Sequence, residues 1–282
     1  MLPGLTGSRV RLGTRLALGL AAASCSASYL QAQGRSEPRE GPSWALRGLR
    51  SDQCVHFLID PGTAAKLRRD GYRPIRADQD QSLHSALRGM TGAQPEFAAW
   101  IPSSLCLFYV DTITVGERTM AERKARKPQM LAVWTLATAE QGSGARRDLV
   151  LNISSSSSRV ARAAEAVKLR IREARWAVSR VPDSPDELHE LKIGKTHLVW
   201  SGRAVGDSTP VEQPIRESWL MGGASGTIWN VLMTLKPEWS RPLVGVLRVD
   251  GKDDLAKSLM ASPIRFVGPR YLGGSGDLRF TR

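Results

Sequence analysis

Histidine and cysteine are scarce in this chain of 282 residues, and aromatic rings make up only 6% of it. The histidines are His56, His84, His189 and His197. No two of them share a helical turn, which excludes the paired-histidine arrangement of zinc proteases. Asp183, Asp186, Glu187 and Glu190 crowd around His189 in PDSPDELHE, but without the ligand spacing and glycine of a calcium loop, so this stretch reads as a solvated turn and no metal is expected. There is no P-loop, and no glycine fingerprint opens a helix after a strand. Backbone cradles for phosphate are therefore lacking, and no cofactor is expected. Ser225 in GASGT and Ser275 in GGSGD each miss the downstream glycine that a nucleophile elbow needs for its sharp turn. No serine is followed three residues later by lysine, so the Ser and Lys pattern of penicillin-binding enzymes is absent as well. Gly222, Gly223 and Gly226, like Gly273, Gly274 and Gly276, then read as turns between strands. The tryptophans have no fixed spacing, which argues against repeat architectures.

What the N-terminus does contain is an export pattern. Arg9, Arg11 and Arg15 form a positive start, and Leu16 to Ala23 is apolar. Ser24, Cys25, Ser26 and Ser28 break the run well short of the roughly 20 apolar residues that a bilayer span needs. Residues 1–32 are expected to be a signal peptide, with the mature chain starting between Ser28 and Gly34. Residues 33–43 form a polar lead-in rich in Pro and Gly, and residues 44–282 a single domain. Ala22, Ala23, Ser24 and Cys25 also resemble a degenerate lipobox. Lipidation of Cys25 is the one route by which membrane contact is expected. Either kind of processing leaves Cys54 and Cys106 as an even pair, expected to form a disulfide in a secreted or periplasmic protein. That bridge would close a loop of about 50 residues, worth about 4 kcal/mol by chain entropy. The formal charge of the full chain is +13. Outside the cytoplasm this points away from nucleic acid and towards a small or anionic ligand. Nothing in the sequence sets an oligomeric state.

Short segments with apolar alternation recur along the chain, at 55–59, 105–115, 130–138, 149–153, 196–200, 227–235 and 243–249. In TIWNVLMTL the alternation sends Trp229, Val231, Met233 and Leu235 to one face. LVGVLRV, apolar almost throughout, reads as a central strand covered on both sides. Between Arg159 and Arg180, Val160, Ala164, Val167, Ile171, Ala174 and Val178 recur at helical spacing, which predicts one long amphipathic helix that Pro182 and Pro185 end. Shorter helices are expected at 64–70, 80–89 and 253–261, the last introduced by Asp250. The expected fold is an α+β single domain, a mainly antiparallel sheet or partly open barrel with the long helix packed on it.

Two features suggest chemistry. In Glu122 to Pro128 (ERKARKP), Lys124 and Lys127 lie among other cations, which lowers a lysine's pKa and suits Schiff-base formation. Acetoacetate decarboxylase-like proteins use that device on a β-rich barrel. The order of strands here resembles theirs, although their lysine-bearing motif has no residue-by-residue counterpart in this chain. The second feature is a set of tryptophans in or beside strands, Trp134, Trp200 and Trp229 with Trp219 and Trp239, able to line a sheet-bounded cavity. Three readings follow. The first is an exported domain that binds a small or anionic ligand, and the second a Schiff-base lyase acting through Lys124 or Lys127. The third is an envelope interaction protein held by Cys25 or by the predicted helix between Arg159 and Arg180, where seven basic residues oppose two acids.

Overall fold

The computed structural model describes residues 44–115, 129–180, 187–222 and 226–282. The expected signal peptide with Cys25, the lead-in, and the segment carrying Lys124 and Lys127 lie outside the described residues. The chain order is β1 (Trp44–Ile59), α1 (Pro61–Leu67), β2 (Tyr72–Pro74), α2 (Ser85–Ala93), β3 (Ile101–Val115), β4 (Gln129–Glu140), β5 (Arg146–Ser155) and α3 (Ser158–Ala166). Then follow β6 (Ile171–Arg180), β7 (Glu187–Ile193), β8 (Thr196–Ala204), β9 (Thr209–Pro210), β10 (Ile215–Gly222), β11 (Ile228–Lys236) and β12 (Trp239–Arg241). The chain ends with β13 (Leu243–Gly251), α4 (Asp254–Ala261), β14 (Arg265–Leu272) and β15 (Ser275–Thr281).

The strands join in one 15-stranded mixed sheet whose pairing explains its two cores. Antiparallel ladders run from β1 to β3, β3 to β4 and β4 to β5. A short parallel ladder joins β5 to β10, and antiparallel ladders lead on through β11 and β15 back to the first half of β1. This circuit surrounds a core that includes Trp44, Phe108, Leu131, Trp219, Trp229, Val231, Met233 and Phe280. The C-terminal end of β5 instead pairs with β6, which carries β7, β8 and β13, and the second half of β1 pairs with β14. These strands enclose a second core that includes Phe57, Leu107, Ala132, Trp134, Leu191, Leu198, Trp200 and Leu259. The sheet as a whole does not close into a barrel. β1, β3, β4 and β5 are a wall shared by both cores, so β4 is buried along almost its whole length: Leu131 and Val133 face the first core, Met130 and Ala132 the second.

Cys54 and Cys106 stand directly opposite one another in the β1 and β3 ladder and are joined by the expected disulfide, Cα to Cα 4.0 Å apart. β11 alternates as predicted, with Trp229, Val231, Met233 and Leu235 buried and Leu232 exposed. The turn between β14 and β15 is also as expected, Gly273 and Gly274 both having positive φ.

Four expectations are corrected. The long helix is absent: α3 stops at Ala166, Lys168 takes a φ of 62°, and residues from Ile171 onward form β6. Over so short a stretch Ile171, Ala174 and Val178 fit a helical stripe, but Ala174 and Trp176 equally fit period two, and pairing with Ile193 and Leu191 of β7 decides the outcome. Within α3, Val160 and Ala164 are buried in the first core, and Ala163 and the capping Val167 pack against it partly buried. β13 is not a central strand; it pairs with β8 alone, and its Val244 and Val246 are 58% and 61% exposed. The acidic turn around His189 is β7 from Glu187 onward, and His189 is buried. The smaller helices shift by a few residues, and α4 is capped by Asp253, whose side chain accepts from Ala256 N–H, while Asp250 belongs to β13.

Candidate functional site

Alternation along β7 carries Glu187 and His189 onto the face that Leu191 and Ile193 present to the second core. Across the ladder His189 lies opposite Trp200 of β8, and the rings stack 4.9 Å apart and nearly parallel. Trp176 of β6 lies opposite Leu191. From the shared wall, Tyr109 continues the face of Leu105 and Leu107 on β3, and its ring meets that of Trp176 edge-on at 5.0 Å. Arg270 of β14 is the ladder partner of Gln53 on β1, and its guanidinium lies 5.5 Å over the Tyr109 ring. Six strands thus deliver a polar cluster into the apolar interior.

Hydrogen bonds within the cluster form a directed chain. His189 Nε2 lies 3.2 Å from Glu187 Oε2, and His189 Nδ1 lies 3.0 Å from the Tyr109 hydroxyl. Burial, with Arg270 nearby, holds His189 below its ordinary pKa despite the opposing pull of Glu187, so the ring is neutral at pH 7. Burial would raise the Glu187 carboxyl, but Arg270, bound at 2.7 Å, and His189 together hold it below the usual range, so it is ionised. A carboxylate can only accept; the imidazole proton therefore sits on Nε2, Nδ1 is the acceptor, and Tyr109 donates to it. Tyr109, 9% exposed, and the His189 side chain, 4% exposed, are both buried, whereas the Glu187 side chain at the end of the chain is 32% exposed.

Beside this chain lie polar atoms that are out of water and have no hydrogen-bond partner among the described residues. They are Trp176 Nε1, Trp200 Nε1, Arg270 Nε and Gln53 Oε1. A buried donor left unpaired costs about 1–3 kcal/mol, and three of the residues carrying such donors belong to this one cluster.

The tryptophans expected to share a site are divided. Trp200 belongs to this cluster. Trp134 lies in the same core, but its indole donates to Ser103 Oγ at 2.9 Å, and Ser103 donates in turn to Thr135 C=O at 2.6 Å. Trp229 lies in the other core with Arg282 over its ring at 4.7 Å, and Trp219 donates to Glu217 there. Nothing in the sequence marks Tyr109, Trp176, Arg270 or Gln53 as site residues, and Glu187 and His189 stand out there only as part of the acidic stretch that reads as a turn. The alternation in ELHELKI was the one signal for His189 and Glu187, hidden by the acidic residues before it.

A second polar group is built around Arg146 of β5, which bridges Asp80, whose side chain is fully buried, and Asp148. Burial, reinforced by Asp148, pushes the Glu217 carboxyl up to about 7 against the opposing hydrogen bond from Trp219. All three carboxyl groups already have hydrogen-bond partners. Among the described residues, no group of three or more His, Cys, Asp and Glu side chains is placed to hold a metal ion.

The chain matches no protein-family model and no curated protein. Among solved structures it is similar to the enduracididine biosynthesis enzyme MppR bound to HEPES buffer, at 13% identity over 94% of this chain and 96% of that one, with a TM-score of 0.45. It is also similar to the acetoacetate decarboxylase of Legionella pneumophila, at 10% identity over 90% and 91% of the two chains, with a TM-score of 0.47. A third similar structure is an acetoacetate decarboxylase-like enzyme from Sphingomonas wittichii RW1, at 10% identity over 86% and 92%, with a TM-score of 0.45.

Proposed function

We propose that the protein binds a small carboxylic acid in the second core, with its carboxylate against Arg270 Nε and the indole N–H groups of Trp176 and Trp200. The observation that carries this reading is the collection of orphaned buried donors in one cluster, three donors against the single acceptor Gln53 Oε1. An anion is the ligand that satisfies such a set, and a cation is not. The formal charge of +13 favours the encounter. The stacking of Trp200 on His189 makes its emission a reporter. Titration with acetate, propionate and pyruvate is expected to change tryptophan fluorescence saturably, and Arg270→Gln is expected to weaken binding by at least about tenfold, the effect of one charge-assisted hydrogen bond. No saturable response to any of these acids, or full affinity in Arg270→Gln, overturns the reading.

A second reading, Schiff-base lyase chemistry through Lys124 or Lys127, rests on the crowding of cations in ERKARKP. Pyruvate, which is bound by MppR in another structure of that enzyme, is the natural probe. Borohydride reduction in its presence would leave a lysine adduct on that segment if the reading holds, and no adduct if it fails. We also place the protein outside the cytoplasm, supported by the leader pattern and by the Cys54–Cys106 bridge, which persists in oxidising surroundings. A mature chain that keeps Met1 would refute this placement.

A further inference from the structure

We infer that Tyr109 is the group through which a proton leaves and re-enters a bound acid, with His189 and Glu187 carrying it towards solvent. This rests on the carboxylate reading above and extends it from binding to proton transfer. Three observations support it. The Tyr109 hydroxyl belongs to the same cluster as the orphaned donors, through the contacts of its ring with Trp176 and Arg270. Its hydrogen bond to His189 has a fixed direction, because His189 Nε2–H is committed to Glu187. Glu187 is the partly exposed end of an otherwise buried chain.

A hydroxyl, a neutral imidazole and a carboxylate in series form the arrangement in which the hydroxyl oxygen can accept a proton as it gives up its own. The substrate class follows from what surrounds it. With the carboxylate of the ligand taking part of the donor set, an indole N–H is left over for a second oxygen that gains charge, as the carbonyl oxygen of an oxo acid does when a neighbouring carbon loses a proton. In that step the C–H bond beside the carbonyl breaks and its proton goes to Tyr109 Oη. The Tyr109 proton passes to His189 Nδ1, the bond's electron pair moves into the enolate, and the imidazolium is held by Glu187. The reverse transfer restores every group, and no oxidant or second substrate is needed.

The test is exchange of the pyruvate methyl protons in deuterated buffer, followed by proton NMR, alongside fluorescence titration of the same samples. The wild-type protein is expected to exchange these protons well above the buffer rate. Tyr109→Phe is expected to lower that rate roughly a hundredfold, as loss of a general acid–base group does, while pyruvate affinity stays within a few-fold. His189→Gln, which leaves Tyr109 in place, is expected to lower the rate similarly. Because that substitution removes the ring on which Trp200 stacks, pyruvate binding by this variant is followed by calorimetry, and retained binding is expected to show that the site is still folded. Binding of pyruvate without exchange overturns the relay and leaves the carboxylate reading standing, whereas absence of binding removes both. Exchange at the wild-type rate in Tyr109→Phe also overturns the relay.

Discussion

Ser103 shows how one side chain decides whether a tryptophan is structural. Its hydroxyl accepts from Trp134 Nε1 and donates to Thr135 C=O, completing a buried chain on the shared wall. Ser103→Ala strands both partners and is expected to lower stability by about 1–3 kcal/mol in urea unfolding, with carboxylate affinity unchanged. Trp200 is as deeply buried but has no such acceptor among the described residues. In the sequence the two tryptophans look alike, because alternation tells which side chains point inward but not which core they enter or what they meet there. His189 was harder still to read, since its role depends on Tyr109, which is 80 residues away.

At the scale of elements, the strands were legible wherever one face is buried and the other wet. β11 is the clearest case, because water on one side enforces the alternation. The residues from Val160 to Val178 misled because their apolar spacing satisfies two periods, and the tie is broken by a strand, β7, that the acidic stretch concealed. LVGVLRV misled for another reason: Val244 and Val246 are exposed, so apolar character there does not signify cover on both faces. The glycine in that strand carries the information instead. A Cβ on Gly245 would lie 1.9 Å from the Ser201 carbonyl oxygen of β8, so the two strands approach there only because no side chain intervenes. Gly245→Ala is expected to destabilise the protein by more than about 2 kcal/mol, seen as a lower thermal midpoint, since the clash is with backbone and cannot be relieved by a rotamer change.

For the whole molecule, buried titratable groups set opposite slopes of stability against pH. Glu217 has a folded pKa raised from 4.5 to about 7, so the folded state holds a proton that the unfolded state has lost; stability falls as pH rises through that window. His56, held down to about 3 by burial and by neighbouring His84, acts the other way, and stability falls as pH drops from 6.5 towards 3. The two slopes oppose each other between pH 4.5 and 6.5. Glu217→Gln is expected to gain about 2–3 kcal/mol at pH 8 and little at pH 4.5, measured by urea midpoints at the two pH values. An equal effect at both would show that the carboxyl is not buried in its charged form.

The wall made by β1, β3, β4 and β5 gives the two cores a common fate. Neither can lose its packing without exposing the back of the other, so a ligand bound beside Tyr109 as proposed is expected to slow hydrogen exchange of amides around Trp219 and Trp229, which lie in the other core. Occupancy on one side of the wall would then be read as rigidity on the other.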